Sequence, residues 1–150
     1  MFPNRTTQRR LRRSVRNGIA ATECALVLPT IVLITFGTVQ LCKGMLLKET
    51  ATVAAYEAAR IAIQYEGTST SATSRATQIV QDRGVSTTAL SGSMVSITPN
   101  PVTAAPLTPI YVTVRLPCSG NLVFPGGGPY GWMGSSDVAA TVVMLNEYKP

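Results

Sequence analysis

The sequence predicts an α+β protein, with a long N-terminal transmembrane helix that continues into an outer domain holding a second helix and a small antiparallel sheet. Three observations carry this prediction. An apolar run with a single charge occupies Ile19 to Cys42, a helical period continues from it to Tyr65, and beyond Gly84 the period drops to two in segments rich in β-branched residues.

The first element is the apolar run. Its 24 residues make roughly 36 Å of helix at about 1.5 Å per residue, against a hydrocarbon core of about 30 Å. It crosses a bilayer once. A secretory signal peptide has a shorter apolar core and small residues at its end, whereas this run closes with Thr38-Val39-Gln40-Leu41-Cys42-Lys43. Val39-Gln40-Leu41 also lacks the small residue expected before a lipidated cysteine at Cys42.

Charge sets the orientation of that helix. The net charge of +6 resides in the leader, where Arg5, Arg9, Arg10, Arg12, Arg13 and Arg16 precede Gly18 with no acid among them. From Gly18 onward seven basic residues balance seven acids. Arginines beside an apolar span mark its cytoplasmic side, so this reading excludes nucleic acid as a partner and places residues 1–18 inside as a basic leader. Residues 19–42 form the transmembrane helix and residues 43–150 the extracytoplasmic domain, in an inner, cytoplasmic membrane with that domain on the periplasmic side. One acid interrupts the span: Glu23 lies just inside it, where a carboxylate costs about 2.5–3.5 kcal/mol at the helix centre and less near an interface. A bland anchor does not need it.

Past the span, Leu47, Ala51, Ala54, Ala58, Ile61 and Tyr65 recur at spacings of four and three, a stripe that packs either on the chain's own outer domain or on a neighbouring helix. Glu66-Gly67 breaks the helix, and Thr70 or Ser71 is the expected cap of a second helix running to about Arg83. Its apolar side is Ala72, Ala76, Ile79 and Val80, and Gly84 stops it. Three strands follow, Met94–Thr98, Ile110–Leu116 and Val138–Leu145, the first two joined by a segment with four prolines from Pro99 to Pro109. A glycine-rich loop before the last strand holds Phe124, Tyr130 and Trp132 but no lysine or following helix, so it is not a phosphate cradle. Its aromatics either tuck onto the sheet or touch a partner.

The chemistry of catalysis is missing. With no histidine and three widely separated cysteines, Cys24, Cys42 and Cys118, the chain offers no nucleophile–base pair and no zinc spacing. Its carboxylates are scattered along helices and strand ends. The expectation is therefore a protein that is not an enzyme and has no cofactor or metal.

A basic leader, then glycine, then an apolar helix with glutamate five residues on is the arrangement of type IV prepilin-like proteins. The chain resembles these and, more closely, the TadE-like family of minor pseudopilins of tight-adherence pilus systems. The residues carrying the resemblance are Arg16-Asn17-Gly18, Ala20-Ala21-Thr22-Glu23, Ala25-Leu26-Val27-Leu28-Pro29, Phe36-Gly37, the helix Ala54-Ala55-Tyr56-Glu57-Ala58-Ala59-Arg60, and a closing strand that ends in Glu147. The resemblance implies a pilin-like fold and cleavage between Gly18 and Ile19 by a membrane-embedded prepilin peptidase. It also implies that Glu23 guides docking against neighbouring subunits and that Pro29 loosens the helix. Cys24 stands where the family more often has an aromatic or aliphatic residue, and the outer domain exceeds that of a small major pilin. Both departures favour a minor, assembly-assisting role.

The partners implied are the lipid bilayer, the prepilin peptidase, other pilin-like subunits and inner-membrane pilus assembly proteins. The competing reading is an unprocessed single-pass anchor that displays a small binding domain.

Overall fold

A computed structural model of the chain describes residues 5–90, 92–123 and 136–146, with backbone alone for residues 5–19. The order of elements is α1 (Arg5–Ile63), α2 (Ser69–Asp82), β1 (Val95–Thr98), β2 (Pro109–Pro117) and β3 (Asp137–Leu145). This is the α+β arrangement that the periods predict. The chain divides into two compact units between Thr38 and Val39. The aromatic loop residues Phe124, Tyr130 and Trp132, and Glu147 at the end of the last strand, lie outside the described residues.

The first unit is helical and turned outward. Leu26, Leu28, Ile31 and Ile34 are all exposed, as suits a helix whose solvent is lipid. Among the described residues, α1 from Ala20 is the helix long and apolar enough to cross a membrane. Its hydroxyls are satisfied locally, since Thr35 Oγ1 donates to the Ile31 carbonyl at 2.9 Å and Thr38 Oγ1 to the Thr35 carbonyl at 2.8 Å. A polar side chain that bonds its own helix loses little in hydrocarbon.

In the second unit, α1 contributes its stripe to a core of its own domain. Leu47, Ala51, Ala54, Ala55, Ala58, Ala59 and Ala62 are buried and share one apolar cluster with both other layers. The predicted stripe thus packs within the chain, and it is wider than one residue per turn. Tyr65, expected on it, is exposed, because α1 ends at Ile63. The turn that ends it is tight: Gln64 N donates to the Ile61 carbonyl and Gly67 N to the Gln64 carbonyl.

α2 begins slightly earlier than the hydroxyl run suggests. Thr68, rather than Thr70 or Ser71, is the N-cap: its Oγ1 accepts from Ser71 N at 3.1 Å, while Thr68 N donates to Ser71 Oγ at 3.0 Å. Serine three residues into the helix makes this a reciprocal capping box, which satisfies two end donors at once. The helix closes on Gly84, whose φ of 66° is the left-handed conformation that glycine tolerates. Gly84 N then donates to the Gln81 carbonyl and Val85 N to the Val80 carbonyl, the Schellman pattern. Ala72, Ala76, Ile79 and Val80 are its buried residues, as their spacing predicts.

The sheet is antiparallel throughout, in the order β1-β2-β3. β2 is central, with Val112 facing Ile97 on one side and Val142 on the other. Ile110, Val112, Val114 and Leu116 are fully buried and alternate with outward Tyr111, Thr113 and Arg115, the period-two pattern of a sheet with one face on a core. Full burial of each large aliphatic side chain is worth about 1.5–3 kcal/mol. The sheet therefore supplies the bulk and α1 the flat alanine surface against which that bulk is placed.

Candidate processing site and assembly element

Gly18, Ile19, Glu23 and Pro29 all lie on α1, spread over roughly 17 Å of helix at about 1.5 Å per residue. The backbone at Gly18 and Ile19 is helical. A protease needs extended substrate, so cleavage here requires the helix to open locally. Glycine makes that easier, since it weakens a helix interior by about 1 kcal/mol relative to alanine and offers no side chain to block approach.

Four residues separate Ile19 from Glu23, which puts the two positions on one helix face a turn apart. Glu23 is exposed. An amine on Ile19 would be within a turn of that carboxylate, in its own chain or in a neighbour's. Pro29 is six residues past Glu23 and faces elsewhere on the helix. It lies within α1, has no N–H, and so leaves the Ala25 carbonyl without its intrahelical donor. The helix thus brings Ile19 and Glu23 together and holds Pro29 apart from them.

A residue that the sequence reading passes over stands out at the other end of the span. Gln40 is completely buried, and its Oε1 accepts a hydrogen bond from Val123 N at 3.1 Å. The signal was present: Gln40 precedes Leu47 by seven residues, Ala51 by eleven and Ala54 by fourteen, which is the same helix face. A hydropathy reading counts it as one polar residue in an apolar run; the face reading makes it a core position.

The remaining ionisable groups are dispersed. The carboxylate that pairs with Arg83 is Glu49, at 3.7 Å. Cys24 and Cys42 are exposed free thiols and Cys118 is buried. Burial pushes the Cys118 thiol above its ordinary pKa, and Asp137 adds to the effect. Among the described residues, no group of three or more histidine, cysteine or acidic side chains is placed to hold a metal ion.

Comparison with known proteins gives one similarity. The family model described as TadE-like protein matches residues 18–60, in keeping with the resemblance carried by Gly18, Glu23 and the alanine-rich helix. No curated protein and no solved structure matches the chain. The matched segment opens at the glycine of the expected cleavage site and ends within α1, three residues before Ile63. An apolar helix near the N-terminus, long enough to cross a membrane, together with that match fits a membrane-anchored, pilus-related protein.

Proposed function

We propose that the chain is a minor pseudopilin, held in the inner membrane by α1 and cut between Gly18 and Ile19 by a prepilin peptidase. It acts in the assembly or anchoring of a tight-adherence pilus or a related secretion apparatus, by association and not by catalysis. The observation that carries this reading is where the TadE-like match starts: it opens at Gly18, five residues before Glu23 and two after the last arginine of the leader. The six arginines hold the leader on the cytoplasmic side, and processing removes them. What is left is a near-neutral chain with an amine on Ile19 and a carboxylate on Glu23, each of which lowers the cost of the other in lipid. Pilin-like subunits and inner-membrane assembly proteins are the partners for that charged end.

Intact-mass measurement of the protein extracted from membranes of cells that contain the peptidase tests this. The expected mature N-terminus is Ile19, and Gly18→Leu should retain the leader. A wild-type N-terminus at Met1 in those cells would overturn the reading. The outer face of the sheet supports a second one, an unprocessed anchor that displays a binding domain. There Tyr111 faces Val143 across the strands, both exposed, with exposed Leu145 two residues on. Aromatic and aliphatic groups in the open are the usual material of a contact surface.

A further inference from the structure

Gln40 belongs by sequence to the apolar span, yet it is bonded to a loop of the sheet domain. The turn after β2 delivers that bond: Asn121 N and Leu122 N both donate to the Cys118 carbonyl, which leaves Val123 N aimed at Gln40 Oε1. Part of the outer domain is therefore tied to a residue that the sequence counts within the span. Around that level the surface is apolar and open, with Val123 41% exposed, Leu41 53%, Leu46 61% and Met45 70%. Lys43, also exposed, is the one charge among them. The first charged groups tied into the outer domain come later: Lys48 Nζ donates to the Ala139 carbonyl, and Glu49 pairs with Arg83.

The distances match a bilayer boundary. A membrane has about 30 Å of hydrocarbon and about 40–45 Å in all, which leaves roughly 5–7 Å of headgroup region on each side. Four residues from Cys42 to Leu46 rise about 6 Å. With hydrocarbon ending near Cys42, Met45 and Leu46 fall within the headgroup layer, and Lys48 and Glu49 emerge where water begins. Lys43 is long enough to lay its stem on the apolar collar and reach lipid phosphate.

The geometry points to a second membrane contact: the base of the outer domain, formed by Leu41, Met45 and Leu46 of α1 with Val123 clasped by Gln40, is seated in the phospholipid headgroup region. This rests on the reading of α1 as a membrane anchor. Continuity selects lipid over a second protein chain as the occupant, because the collar follows the span without a gap and polar anchoring starts where the headgroup layer ends.

The test uses the full chain with Cys24→Ser and Cys42→Ser, reconstituted in vesicles of phosphatidylcholine and phosphatidylglycerol. Single cysteines at Leu33, Met45, Leu46 or Tyr56, all exposed positions, carry an environment-sensitive fluorophore, and buried Cys118 is retained. Met45 and Leu46 should be quenched by headgroup-level spin-labelled lipid and be several-fold less accessible to aqueous iodide than Tyr56. Iodide access at Met45 and Leu46 equal to that at Tyr56 would overturn the proposal. So would protection that persists in detergent together with crosslinking between copies, since protein would then be the cover. The Leu33 site separates the two failures: if a deep acyl-chain quencher does not reach it, the anchor reading itself is wrong.

Discussion

Replacing Gln40 by leucine separates the local role of this residue from its bulk. The two side chains are close in volume, so packing around the site is largely kept. The substitution removes Oε1 and leaves Val123 N–H without the acceptor that lies 3.1 Å away. The bond is only part-buried, and a hydrogen bond of that kind contributes about 0.5–1.5 kcal/mol net. At 1.4 kcal/mol per tenfold, that is roughly a 2- to 12-fold rise in the local opening of the Val123 amide. Global stability should change less, because Gln40 Nε2 is buried without a partner among the described residues and leucine relieves that penalty. Hydrogen–deuterium exchange on the full chain in lipid reads both quantities. Peptides covering Leu122 and Val123 should exchange faster by that factor, while peptides from β2 and α2 stay protected. Unchanged exchange at Val123 would refute the clasp, and uniform acceleration across the domain would refute the claim that its effect is local.

Three further outcomes are expected. Gly67→Ala drives a Cβ into the Ile61 carbonyl oxygen and to 2.7 Å from that of Ala62; with backbone on both sides the overpacking should cost about 1–3 kcal/mol, and an unchanged thermal midpoint by circular dichroism would disprove the tight turn. Glu23→Ala should insert at least as well as wild type, since a carboxylate burdens insertion by up to about 3 kcal/mol, but should give less crosslinking to pilin-like subunits; normal crosslinking would count against a docking role. For Cys118 the folded pKa lies above the ordinary value of about 8.5, so folding favours the neutral thiol. Its contribution is complete below that pH and declines as pH rises through it. Denaturation midpoints should therefore fall more steeply from pH 8 to pH 10 in wild type than in Cys118→Ala, and parallel curves would remove the thiol from the account.

Periodicity made most of the fold legible. The four buried residues of α2 and the inward set of β2 follow from spacing alone, because each element has one face on the core and one in the open. The errors are at ends, where a few hydrogen bonds decide. Tyr65 falls off the stripe because Gly67 can bring its backbone close to the Ile61 and Ala62 carbonyls, and Thr68 wins the cap because Ser71 answers it. Neither bond leaves a mark in hydropathy. Of the candidate site, the charge of Glu23 in an apolar run stands out in the sequence, Gly18, Ile19 and Pro29 enter through the resemblance to TadE-like proteins, and Gln40 was not legible. A single polar residue at the edge of an apolar run reads as a boundary, and only the loop that covers it makes it a core residue.

The extent of the TadE-like match also has a physical reading. Residues 18–60 contain the apolar span and nearly all of the alanine face that α1 gives to the core. An alanine face is shallow and flat, so it sets few demands on the shape of what packs against it. A strand that alternates aliphatic and polar residues meets those demands with many different sequences, as the valines and isoleucines of β2 do here. Helix α1, by contrast, is long and apolar enough on one stretch to cross a membrane and buries small residues on one face of the next. The match therefore falls on the segment that answers to the most constraints at once.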